Sequence, residues 1–144
     1  MSSPPLWLCF KQKPIQLLLN YFGIASPAVD VVGVANQLGI KVLYSNTSPW
    51  DGAAFAEETG SAYIYVNKNC NINKQRFIIA HELGHILLHP IGVEYRDFRS
   101  CDGINWDNID ANYFAVNFLM PHYLVKAYFR VFSIERLACI LESL

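Results

Sequence analysis

Between Arg76 and Pro90 the chain reads RFIIAHELGHILLHP, and this stretch limits what the rest can be. Its apolar residues, from Phe77 to Ala80 and again at Leu83 and Ile86 to Leu88, clothe most of a helix and mark it as central and buried. The same helix carries His81, Glu82, His85 and His89. A buried polar group without a partner costs roughly 1–3 kcal/mol, and more if charged, so four of them on one buried helix need partners. At about 100° per residue, His81 and His85 stand one turn and about 40° apart, so two imidazoles can converge on one ion. Glu82 lies on the adjoining edge of that face, within reach of a water held there. The pattern H-E-x-x-H therefore predicts a metal centre with His81 and His85 as ligands and Glu82 as general base. Zinc is the expected ion, because imidazole and carboxylate donors with one open position form a hydrolytic ligand set.

Two further details of the stretch carry expectations. Gly84 costs about 1 kcal/mol in a helix interior relative to alanine, which predicts the close approach of another backbone. His89 lies about 12 Å along the axis from His81, too far to share an ion with it, and is read as supporting the site rather than ligating. A third ligand must come from elsewhere. The segment DNIDANYFAVNFLMP predicts a second helix with Asp110, Tyr113 and Asn117 along one side and Phe114, Phe118 and Leu119 packing. Asp110 is the expected ligand, while Asp107 suits the first turn of that helix for the helix dipole. Glu94, Asp97 and Asp102 stand in reserve.

The chain has 144 residues, 53% of them hydrophobic and 16% charged, which suits one well-packed domain that needs no disulfide staples. A net charge of −1 supplies no basic surface for nucleic acid and no polybasic membrane anchor. The N-terminal MSSPPLWLCFKQKPIQ has its apolar run broken by prolines and followed by basic residues, the reverse of a secretory signal, and no run approaches a membrane span. A cytoplasmic protein is expected. Cys9, Cys70, Cys101 and Cys139 are widely spaced and read as reduced thiols.

Helices are predicted over about 12–22 and 28–38, the second capped by Gly39, followed by a strand in IKVLYS. Two more strands flank a turn at Glu58 to Gly60, giving a small sheet of about three strands. The metal helix follows and is stopped by Pro90, after which IGVEYRDFRSCDGINW reads as a long loop. The second helix spans about 107–119, and Pro121 opens a helical region that extends toward Leu144.

The fragments SPAVDVVGVANQLGIKV, DGAAFAEETGSAYIYVNKN, QRFIIAHELGHILLH and DANYFAVNFLMP, in that order, resemble the ImmA/IrrE family of zinc metallopeptidases. The likeness spans roughly residues 14–121 and leaves 122–144 as a C-terminal helical region. It implies an α+β, zincin-like fold in which a small twisted sheet packs on the H-E-x-x-H helix. It also implies a protein substrate, typically a helix-turn-helix (XRE-type) repressor of a mobile element, prophage or stress regulon. That repressor is expected to be a separate protein. The family's third ligand is typically a glutamate preceding the AN-x-FA stretch, and the matching position here is Asp110, one methylene shorter. An oxyanion-stabilising group could be Tyr95, Tyr113, His122 or Tyr123. The competing reading is a metal-stabilised module that sequesters a repressor or an antitoxin-like partner without cutting it.

Overall fold

The computed structural model describes residues 4–24, 29–46, 50–97 and 106–120. Its elements run α1 (Leu6–Phe10), α2 (Ile15–Tyr21), α3 (Val31–Gln37), β1 (Lys41–Ser45), β2 (Gly52–Ala56), β3 (Ala62–Asn67), α4 (Ile72–Leu88), β4 (Tyr95–Asp97) and α5 (Trp106–Leu119). The predicted C-terminal helical region after Pro121 lies outside the described residues. The architecture is mixed α+β, a small sheet with helices packed on it, in agreement with the expected class.

The strands form a sheet in the order β1-β3-β2-β4. β3 is parallel to β1 and antiparallel to β2, with Lys41 opposite Tyr63 and Ala54 opposite Ile64. Alternation decides its faces: Ala62, Ile64 and Val66 are buried, while Tyr65 between them is exposed. Opposite them β2 contributes Gly52, Ala54 and Ala56, residues small enough for α4 to lie close against the sheet. A Cβ at Gly52 would stand 2.4 Å from Ile78 Cγ2. The fourth strand departs from the expected three. β4 pairs with β2 from Gly52–Asp97 to Ala54–Tyr95, inside the stretch read as a loop. Three residues are too few to establish a period, and backbone pairing with a neighbouring strand is what makes them extended.

α4 touches β2, β3, α1, α3 and α5 and buries an unbroken run from Ile78 to Leu87. Asn71 caps its start by accepting a hydrogen bond from the Lys74 backbone N–H at 2.8 Å. Its end is closed by the N-terminal segment. Lys11 Nζ donates to the carbonyls of Ile86, at 2.6 Å, and of His89, and the Gln12 N–H donates to Leu87 O at 2.7 Å. A cation on the last carbonyls of a helix is favoured by its dipole, although burial pushes the Lys11 ammonium below its usual pKa.

That segment holds the one described helix that was not expected. α1 has five residues bounded by prolines, too short for a helical period, and it forms because Trp7 is fully buried. The Trp7 indole N–H donates to Gly60 O at 3.0 Å and its backbone N–H to Leu38 O at 2.9 Å. Of the cysteines, Cys9 is exposed, Cys70 is half-buried with its Sγ 3.7 Å from Asp51 Oδ1, and Cys101 and Cys139 lie outside the described residues. Among the described residues no helix is long and apolar enough to cross a membrane.

The predicted close approach at Gly84 is present. A Cβ there would meet Ala111 Cα at 3.1 Å, Ala111 O at 3.2 Å and Phe114 Cβ at 3.2 Å, so α5 rests directly on the backbone of α4. Gly84→Val is therefore expected to destabilise the protein by about 1–3 kcal/mol through overpacking. Chemical denaturation would read this as a lower midpoint. An unchanged midpoint would mean that the two helices do not meet at this point.

Candidate metal centre

Three of the predicted site residues come together. His81, Glu82 and His85 occupy successive positions of one α4 face, at 6%, 0% and 1% exposure, and each offers a ligand atom within 4.8 Å of the others. The Nε2 atoms of His81 and His85 are 3.1 Å apart, and the rings meet nearly edge to face at 84°. Two nitrogen ligands at about 2.0–2.1 Å from a tetrahedral zinc would be separated by about 3.3 Å, so the pair already stands close to the spacing of a shared ion. Glu82 Oε1 lies 3.9 Å from His81 Nε2. Room for the carboxylate comes from Gly52 at the start of β2, where an added Cβ would sit 3.2 Å from Glu82 Oε1.

The outer nitrogens of both rings are held as well. His81 Nδ1 is 2.7 Å from Asn112 Oδ1 on α5, and His85 Nδ1 is 2.8 Å from His89 Nδ1 at the end of α4. An amide oxygen can only accept, so His81 Nδ1 carries the proton and its Nε2 lone pair is directed inward. Such partners fix the tautomer and orientation of a metal-ligating histidine. The donor set thus fits a divalent transition-metal ion. His89 is in the supporting place expected for it. Asn112 and Gly52 were given no role from the sequence; the one available signal was that Asn112 is polar and adjoins Ala111 in the AN-x-FA stretch.

Asp110 lies elsewhere. Its side chain is 65% exposed, and its Oδ2 is 3.9 Å from His89 Nε2, outside the group formed by His81, Glu82 and His85. The reason is the register of α5. With Ala111 seated on Gly84, residues 110 and 112 project to opposite flanks of the contact, Asn112 toward His81 and Asp110 toward His89. Among the expected oxyanion partners, Tyr113 is strongly exposed, while His122 and Tyr123 lie outside the described residues.

A cavity of about 550 Å³ opens at one end of the sheet, lined by Leu43, Trp50, Gly52, Ala53, Tyr65 and Glu94 among others. It shares Gly52 with the Glu82 pocket. Its walls are largely apolar and aromatic.

Two comparisons bear on this centre. The model of peptidase family M78, described as an IrrE N-terminal-like domain, matches residues 35–134, more than half of the chain and all of β1 to α5. A protein of Bacillus phage phi105 named "Uncharacterized immunity region protein 2" is 27% identical over 115 residues, covering 79% of this chain and 70% of its own length.

Proposed function

From the premise that this chain belongs to the M78 peptidase family, with its IrrE N-terminal-like domain, we propose that it is a zinc-dependent endopeptidase acting on a separate helix-turn-helix repressor. The observation that carries the reading is the convergence of His81 Nε2 and His85 Nε2 at 3.1 Å beside a fully buried Glu82 carboxylate. A zinc ion bound there would supply Lewis-acid activation of a water molecule and of the scissile carbonyl. His81 and His85 hold that ion through Nε2, with Asn112 and His89 keeping both rings in place. Glu82 accepts the proton of the attacking water and returns it to the leaving amine. A carboxylate suits this role here because it is held against Gly52, beside the imidazole pair. The Leu43–Tyr65 cavity, which reaches Gly52, receives an apolar stretch of the substrate chain.

The phi105 relative is named for an immunity region, which supports a repressor of a prophage or mobile element as the substrate class. The decisive assay co-expresses the chain with a candidate helix-turn-helix repressor and follows both repressor fragments and a reporter under its operator. Discrete fragments and derepression are expected. An intact repressor in the presence of zinc-loaded protein would count against peptide hydrolysis of that substrate.

A further inference from the structure

We infer that the cavity at the end of the sheet is a binding site for an arginine side chain of the protein substrate, carried within the apolar stretch that the cavity receives. The inference rests on the proposed function for the identity of the partner, and it uses none of the metal ligands.

Strand alternation turns Tyr63 and Tyr65 to the face of β3 opposite the one that packs Ala62, Ile64 and Val66 against α4. On that outer face the register sets Lys41 and Phe55 beside Tyr63, and Leu43 and Ala53 beside Tyr65. The first row already holds a cation, because Lys41 Nζ lies over the Tyr63 ring, 5.9 Å from its centroid. In the second row the residue opposite Tyr65 on β1 is aliphatic, so that strand brings no cation to the ring, and Tyr65 is 42% exposed. The whole second row lines the cavity, together with Trp50 and Glu94. Ala53 is the shortest side chain of the row, and a larger residue there would fill the space that the cavity occupies.

Aromatic walls, an aliphatic floor and a carboxylate match one kind of side chain best. Among the described residues lining the cavity, Glu94 is the only one that carries a charge. An apolar occupant would use Leu43, Ala53 and the rings but leave Glu94 without a role, and an acidic occupant would be repelled by it. Arginine uses all of them. Its methylenes pack on Leu43 and Ala53, its planar guanidinium stacks on an aromatic face, and its paired N–H groups reach a carboxylate. A carboxylate has about four acceptor sites, so Glu94 can take a guanidinium beside the neighbour it already has. Lysine offers a compact, strongly hydrated charge with no plane to stack, and it fits the site less well.

The test titrates the full-length protein, as purified and 15N-labelled, with N-acetyl-arginine methylamide and with its lysine and norleucine counterparts. The readout is the Trp50 indole N–H signal in NMR, assigned by its loss in Trp50→Phe, and the signal of fully buried Trp7 reports that each variant is folded. The arginine probe should shift the Trp50 signal with a Kd on the order of 1 mM, as expected for a molecule of this size. Lysine and norleucine should bind about 3–10-fold more weakly. Glu94→Gln should weaken the arginine probe by about 3–10-fold and leave norleucine unchanged. Tyr65→Leu should weaken arginine about 2–5-fold, the size of an exposed cation–π contact. Norleucine binding as well as arginine, an arginine affinity indifferent to Glu94→Gln, or a Trp50 signal that none of the probes moves at roughly 100 mM would each overturn the arginine site. Because the readout involves no hydrolysis, arginine selectivity in a protein that leaves the repressor intact would refute the peptidase reading and keep the site. Cleavage of the repressor without that selectivity would do the reverse.

Discussion

Alanine at His81 or His85 is expected to take the zinc content of purified protein from about one ion per chain to near zero. The two imidazoles supply both inward-facing nitrogen donors, 3.1 Å apart. The loss should also appear in stability. An ion present at 100 times its dissociation constant adds about 2.7 kcal/mol to the native state, and this increment vanishes with the site. Without zinc the variants should unfold close to the metal-free wild type, because His→Ala here removes a polar side chain as well as packing volume. Elemental analysis and melting with and without added zinc measure the two effects separately. Unchanged zinc in both variants would mean that the ion, if bound, is held elsewhere.

The comparison of sequence with structure turns on which signals are local. α4 was legible because it carries its stop at Pro90 and an apolar coat around the histidines. β3 was legible because Ala62, Ile64 and Val66 alternate with Tyr63 and Tyr65. Even the contact at Gly84 could be anticipated, because glycine is costly in a helix unless something lies against it. α1 and β4 could not be read in this way. Five residues between prolines and three residues in a loop hold no period, and both elements owe their form to distant partners, Gly60 and Leu38 for α1 and the edge of β2 for β4.

The same division runs through the metal centre. His81, Glu82 and His85 share one helix, so their convergence follows from its pitch alone. Asp110 and Asn112 are on another helix, and a two-residue step rotates a side chain by about 200°. Which of them reaches His81 depends on how α5 crosses α4, and the crossing is set by Ala111 against Gly84. The sequence supplied both halves of that contact without stating that they meet. A methyl-sized residue on one helix and a glycine on the other therefore determine which polar neighbour supports which histidine.

Glu82→Gln is expected to preserve fold and zinc while reducing peptide hydrolysis about 10²–10⁴-fold, the usual contribution of general acid–base catalysis. Gln has nearly the same shape, so it should keep the place against Gly52 where Glu82 Oε1 leaves only 3.2 Å for an added carbon. It is also neutral, and burying an amide at a fully enclosed position costs less than burying a carboxylate, so stability should be equal or slightly higher. What the amide cannot do is accept the proton of the attacking water. In the co-expression assay, wild type should cut the repressor and derepress the reporter, while Glu82→Gln should bind the repressor, leave it whole and leave the reporter silent. Equal derepression by both variants over an intact repressor would exclude hydrolysis as the mechanism and make the chain a binding module. In that case the burial of Glu82 would have to be explained by what its charge does for the fold or the ion, and zinc affinity in Glu82→Gln would decide between those two. Activity retained by Glu82→Gln with fragments of the same size would transfer the base to another group and overturn the assignment made from the H-E-x-x-H face.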